Sequence, residues 1–285
     1  MSKADFIIPF DRLPARFAER IAEPPAEPAV PRPAATIVLM RDGAQGLEIL
    51  LMRRNRDAGF VPGAYVFPGG RVDGTDATPP VLGRMDGLSP EAAAQRLALT
   101  DADPPAIAYY LAALREAFEE TGILVARTAA GEPVPPAAVS TRVDGVRNDV
   151  MEDRIGFGEA LERLDCRIDG LSIEYLAHWI TPLAEPRRYD TRFFAARAIG
   201  DASPIVDPRE MTDALWIGPA AALERYRAGS LPMVFPTIKT LEDLAAHPDA
   251  DTALRRIGAA SVRTILPSLV ITPTGVGLEL EPDGP

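Results

Sequence analysis

The prolines of this chain fall in clusters, and a proline cluster forbids both a helix interior and a central strand. There are 29 prolines among 285 residues. Glu23–Pro33 (EPPAEPAVPRP) therefore reads as a linker ahead of the first strand. Gly131–Ala137 (GEPVPPA) is a second break, and Pro79-Pro80 and Pro104-Pro105 are two more. Between the breaks the segments are short and change period. Ala35–Arg41 and Leu47–Arg53 are β-rich runs separated by Asp42-Gly43 and Gly46, which predicts a hairpin. Ala64–Phe67 is a third extended piece, halted by Pro68-Gly69-Gly70. Pro90–Leu99, Pro105–Thr121, Arg154–Leu164, Pro219–Arg227 and Thr237–His247 read as helices. Ile123–Ala126, Ile173–Thr181, Tyr189–Ile199 and Ala214–Ile217 read as strands. Ile265–Thr272 and Val276–Glu281, joined by Pro273-Thr274-Gly275, form a terminal hairpin. Interleaved strands and helices place the chain in the α/β or α+β class, and no internal repeat is present.

Composition narrows the function. With 47% apolar and 25% charged residues, the chain is an ordinary globular one that can bury a core. Its length suits one large domain or two small ones. No segment approaches the ~18 apolar residues of a membrane span, and Phe6–Phe10 is too short for a signal-peptide core. Cys166 is the single cysteine, which excludes an intrachain disulfide and a cysteine-built zinc site and fits a reducing cytoplasm. A net charge of −11 without a basic stripe argues against nucleic-acid and anionic-membrane partners. The same charge weighs against a polyanionic substrate. That changes if some acids bind cations.

The most informative segment is Ile107–Ile123 (IAYYLAALREAFEETGI). At helical spacing Ile107, Leu111, Leu114 and Phe118 fall on one core-facing stripe. Glu116, Glu119 and Glu120 converge at i, i+3 and i+4 on the opposite face, with Gly122 placed as the C-cap. Three like charges at that spacing repel one another, and the negative end of the helix dipole disfavours them further. A hard divalent cation with oxygen preference, such as Mg²⁺ or Mn²⁺, would relieve both. A solvated acidic face is the plain alternative. Arg115 can fix a carboxylate by a bidentate pair. Upstream, the Gly69-Gly70 pair lets backbone approach a ligand or metal closely, although a diglycine can also be only a turn.

These residues carry a family resemblance. Arg115-Glu116-Ala117-Phe118-Glu119-Glu120-Thr121-Gly122-Ile123 resembles the second half of the Nudix box, G-x5-E-x7-R-E-U-x-E-E-x-G-U, where U is apolar. Gly70 supplies the opening glycine, and Asp76 stands where the pattern has glutamate. Gly70 and Arg115 are 45 positions apart where the uninterrupted motif has 14, so about 31 residues are inserted. Leu50-Leu51-Met52-Arg53-Arg54-Asn55, Gly63 and Phe67-Pro68-Gly69-Gly70 are similar to the signature of coenzyme A diphosphatases within that superfamily. Asn55 replaces its serine and Gly59 its arginine. The insertion, Phe60–Ala64 and Arg188-Tyr189-Asp190-Thr191-Arg192-Phe193-Phe194 resemble the peroxisomal acyl-coenzyme A diphosphatase branch. That branch carries a peroxisomal targeting tail, whereas this chain ends Asp283-Gly284-Pro285.

The resemblance implies a Nudix-type α/β/α sandwich with a mixed sheet, enlarged by helical insertions and terminal extensions. The expected layout is an extension and proline-rich linker over 1–33, a Nudix domain over 34–247 with an insertion at about 77–104, and a C-terminal extension over 248–285. It implies Mg²⁺ or Mn²⁺ held by Glu116, Glu119, Glu120 and the Gly70 carbonyl, with Arg115 orienting a glutamate. Gly69, Gly70, Arg53 and Arg54 would meet the substrate, the arginines at a 3′-phosphate, although two arginines ending a strand can simply be solvated. The general base is a helix glutamate or a later one, Glu174 or Glu210, both also readable as surface acids. The implied reaction cleaves coenzyme A or acyl-coenzyme A to adenosine 3′,5′-bisphosphate and (acyl-)phosphopantetheine. ADP-ribose, NADH or another nucleoside diphosphate is the alternative substrate, and a non-catalytic nucleotide-binding regulator the alternative class. His178, His247, Trp179 and Trp216 read as structural, and Cys166 as no nucleophile. The insertion is expected to be a lid or substrate wall. Oligomeric state is not readable.

Overall fold

The computed structural model describes residues 6–13, 17–23, 26–55, 62–198 and 202–280. Gly59, Phe60, Val61, Ile199, Glu281 and the final Asp283-Gly284-Pro285 lie outside them.

Among the described residues an eight-stranded mixed sheet forms the centre. Its path runs Met211–Ile217, Gly46–Arg54, Arg32–Gly43, Tyr189–Arg197, Ile173–Ile180, Thr264–Ile265. Tyr65–Val66 pairs with Gly46–Arg54, and Gly69–Arg71 with the start of Arg32–Gly43. The expected hairpin closes at Gly43 opposite Gly46. Tyr189–Arg197 runs parallel to Arg32–Gly43, which makes the sheet mixed.

Strand alternation assigns side chains to two cores. Ala35, Ile37 and Leu39 enter one, and Val38 and Met40 the other; all five are fully buried. Phe194 and Ala196 oppose Phe193 and Ala195 in the same way. With both faces covered, a strand must read as a continuous apolar run, as these do. Helices Ala106–Thr121, Thr141–Met151 and Phe157–Arg163 cover the first face. Pro219–Arg227, Phe235–Leu244 and Ala250–Ala259 cover the second. Each large apolar side chain so buried contributes about 1.5–3 kcal/mol. The result is the three-layer α/β/α sandwich expected from the sequence.

Several expectations change. Ile123–Ala126 is not a strand: its four residues are buried in the first core, but Ala126 N–H turns back onto the Leu124 carbonyl at 2.9 Å. Burial, not pairing, explains that apolar run. Gly69–Arg71 continues as a strand instead of ending one. Thr141–Met151 and Ala250–Ala259 are helices that periodicity did not reveal. Their caps are the legible signal, Ser140 accepting from Val143 N–H and Asp249 from Thr252 N–H. The terminal hairpin forms as Ser268–Thr272 and Gly275–Glu279, and Phe6–Pro9 pairs with its second strand.

The insertion is part of the core. Within it, Ser89 caps helix Pro90–Arg96 through Ala92 N–H. Val81, Met85, Leu88, Ala93 and Leu97 are buried in the same cluster as Leu111. Gly158 permits the contact, since a Cβ there would lie 2.8 Å from Pro80 Cβ and 2.9 Å from the Val81 nitrogen. Deleting Ala77–Asp103 is therefore expected to abolish folding, read as lost solubility and far-UV circular dichroism. A soluble deletion protein with native dichroism would refute this.

Candidate active site

Helix Ala106–Thr121 carries the proposed chemistry. It ends at Gly122, whose left-handed φ of 70° only glycine adopts freely. Ile107, Leu111, Leu114 and Phe118 are buried as the stripe predicts, but so are Tyr109, Tyr110, Ala113 and Ala117. The acidic face is not an open one: Glu120 is 7% exposed, and Arg115, Glu116 and Glu119 are partly covered.

Arg115 organises the carboxylates. Its Nε donates to Asp76 Oδ1 at 2.7 Å and its second terminal nitrogen to Asp76 Oδ2 at 3.2 Å. The other terminal nitrogen donates to Glu116 Oε1 at 2.9 Å and Glu119 Oε1 at 3.2 Å. Asp76, 1% exposed, thus takes the bidentate pair across the whole insertion. The diglycine closes the other side. Gly69 N–H donates to Glu120 Oε2 at 3.0 Å. At Gly70 a Cβ would stand 2.4 Å from the Glu116 carboxylate, so any side chain there would displace that carboxylate from its present position.

Glu116, Glu119, Glu120 and Glu210 line one cavity of about 390 Å³, with Asp207, Arg209, Met151 and Met211. Burial pushes the Glu116 carboxyl up to about 7, against the pull of Arg115. Burial likewise raises Glu119. Glu120 is held well above the usual carboxylate range by burial and by Glu116; the Gly69 N–H and Arg54 oppose this, while Glu210 adds to it. Among the described residues no three acidic, histidine or cysteine side chains stand as a ready-made ion cage. Arg115 draws an oxygen of both Glu116 and Glu119 to itself. The donor set nevertheless fits a hard divalent cation: the four glutamates are all-oxygen, anionic and line one cavity.

These shifts give a signed prediction. A carboxyl raised from 4.5 to about 7 favours the folded state when protonated. Metal-free stability is full below the unfolded value and is lost as pH rises through about 7, by a few kcal/mol at most for Glu116. The metal-free protein should melt higher at about pH 5.5 than at about pH 8, and Mg²⁺ or Mn²⁺ should raise Tm more at the higher pH. A flat profile with no ion effect would exclude it.

The sequence-derived residues separate in space. Glu210 joins the helix glutamates. Asp207 shapes its loop, accepting from Arg209 N–H at 2.9 Å. Asn55 moors that loop: its backbone N–H donates to the Glu210 carbonyl at 2.8 Å and its amide to the Pro208 carbonyl at 3.2 Å. Arg53 lies over the Tyr65 ring at 5.8 Å and donates to the Gly63 carbonyl at 3.4 Å, beside Asp213; it does not line the cavity. Glu174 is elsewhere, near Arg96 and packed on Gly258. His178 bridges Asp190 at 2.6 Å and Thr264 at 2.8 Å. Cys166 is buried and its thiol pushed up to about 11 by burial, which makes it unreactive. Sequence reasoning did not point to Asp207 or Arg209, which line the cavity. The Asp207-Pro208 turn signal was the one available clue.

Fold and box together define the class of protein: this is a Nudix hydrolase, a group that generally uses divalent metal ions on small nucleoside diphosphate substrates. More narrowly, the chain belongs to the NUDT19 Nudix domain family, whose model matches residues 25–244. Acyl-coenzyme A diphosphatase NUDT19 of Homo sapiens is 28% identical over 265 residues, covering 82% of this chain and 70% of the human one. The Gallus gallus protein of the same name is 28% identical, covering 71% of this chain and 65% of its own length. A crystal structure of a NUDIX hydrolase from Alicyclobacillus acidocaldarius, 30% identical, superposes with a TM-score of 0.65 over 81% of this chain and 99% of that one. Among the described residues no helix is long and apolar enough to cross a membrane.

Proposed function

We propose that this chain is a metal-dependent diphosphatase of coenzyme A or its acyl esters, releasing adenosine 3′,5′-bisphosphate and (acyl-)phosphopantetheine. The observation that carries the reading is the joint burial of Glu116, Glu119 and Glu120 in the cavity that Glu210 completes. Similarity to proteins named acyl-coenzyme A diphosphatase supports the substrate class. Glu116, Glu119, Glu120 and the Gly70 carbonyl would hold Mg²⁺ or Mn²⁺ within a unit spanning 34–247. When bound, the ion neutralises the diphosphate and acidifies a water. Arg115 fixes Glu116 and Glu119, an oxygen of each accepting from the same terminal nitrogen. Glu120 and Glu210, facing each other electrostatically, are the candidates to take the proton from the attacking water. Arg54, beside Glu120, and Gly69 would contact the substrate; Arg53 would do so only by leaving Tyr65. Cytoplasmic location is part of the same reading.

The test is a turnover screen with product identification in Mg²⁺ and Mn²⁺. Substrates are coenzyme A, acetyl- and longer acyl-coenzyme A, ADP-ribose and NADH. Adenosine 3′,5′-bisphosphate as product supports the proposal. AMP from ADP-ribose or NADH alone replaces it with another Nudix substrate. Absence of any product would indicate a nucleotide-binding regulator.

A further inference from the structure

Carboxylates at the C-terminal end of a helix are disfavoured by one another and by the helix dipole. Glu116, Glu119 and Glu120 occupy the last two turns of Ala106–Thr121, and besides Arg115 of the same helix a second cation reaches them from a different helix. Arg147, on Thr141–Met151, is 4% exposed. Its Nε donates to the Glu119 carbonyl at 2.8 Å and to the Phe118 carbonyl at 3.2 Å. Both belong to the last turn, where carbonyls run short of helical partners; the Phe118 oxygen already accepts from Gly122 N–H.

The rest of the guanidinium is not spent on packing. Asp144 stands 3.9 Å from one terminal nitrogen, and the other is buried with no hydrogen-bond partner. Asp207 and Glu119, which line the carboxylate cavity, interact with it electrostatically. Met151, four residues on and hence on the same helix face, lines that cavity too. Burying a guanidinium with an open N–H is costly. A residue needed only to fill space would be apolar.

We propose that Arg147 is a positioning residue: it clamps the last turn of the carboxylate helix and sets Glu119 and Glu120 for divalent-cation binding. The inference rests on the metal assignment made above. Groups that orient metal ligands from behind change metal affinity by about 10- to 100-fold when removed.

Arg147→Met and Arg147→Lys test it, with Mn²⁺ binding followed by electron paramagnetic resonance and kcat and KM measured at saturating Mn²⁺. Arg147→Met should weaken Mn²⁺ by about tenfold or more and lower kcat with KM little changed. Arg147→Lys, which keeps the charge and one donor, should fall between it and wild type. If Arg147→Met fails to fold, Arg147→Lys decides alone: wild-type Mn²⁺ affinity in it overturns the proposal. A folded Arg147→Met protein with a lowered Tm but unchanged Mn²⁺ affinity and kcat shows a merely structural role and overturns it too. If wild type itself lacks a Glu120-dependent Mn²⁺ site, the metal assignment fails first, and this inference with it.

Discussion

Glu120→Gln is expected to abolish metal-dependent turnover while leaving a folded and, without metal, more stable protein. The loss in kcat should reach roughly a thousandfold, since a removed metal ligand forfeits several kcal/mol of transition-state stabilisation. Glutamine keeps the shape and an oxygen for the Gly69 N–H, which Glu120 accepts at 3.0 Å. It removes a buried charge that Glu116 and Glu210 oppose. Metal-free Tm should therefore rise at about pH 8, where the unfolded carboxylate ionises freely and burial disfavours that charge in the folded protein. The two readouts move in opposite directions, so a variant that is simply misfolded cannot mimic the result. Wild-type turnover in Glu120→Gln would remove Glu120 from the metal site.

The second large effect concerns Arg115. Replacing it with methionine strands Asp76, 1% exposed, with no cation opposite and leaves Glu116 and Glu119 unbalanced. Removing one member of a buried ion pair costs about 3–5 kcal/mol. Urea denaturation of Arg115→Met at about pH 8 should show that loss, and at about pH 5.5 a smaller one, because Glu116, whose carboxyl burial pushes up to about 7, then carries a proton and needs no cation. The double change Asp76→Leu with Arg115→Met should recover part of the stability but none of the activity, since no charge is then stranded. A single variant as stable as wild type would show that the pair is incidental.

Local signals carried most of the fold. The hairpin around Gly43 and Gly46, the helix ending at Gly122 and the C-terminal hairpin each announce themselves within a dozen residues. Where burial came from tertiary packing, periodicity misled: Ile123–Ala126 is apolar because helices and the insertion enclose it, not because it pairs. Thr141–Met151 hid for the opposite reason, with Gly145 and several charges masking its apolar stripe of Val143, Val146 and Val150. At the site, the three helix glutamates were legible because i, i+3, i+4 spacing is a local property. Arg209, Asp207 and Arg147 were not, because only the folded chain brings them to that helix. Asp76 looked like a departure from the box; shorter by one methylene than glutamate, it still accepts from Nε and one terminal nitrogen of Arg115.

The interrupted box also bears on the order of events in folding. In an unbroken motif, the acid and the arginine are near neighbours along the chain. Here Asp76 and Arg115 are 39 residues apart, and the segment between them contributes Val81, Leu88 and Leu97 to the interior. Closing that loop must precede the ion pair, and distant contacts form more slowly than local ones. The carboxylate pocket is thus a late product of folding: in stopped-flow refolding, recovery of Mn²⁺ binding should trail recovery of helical dichroism. Simultaneous recovery would mean that the pocket assembles with the first helices instead.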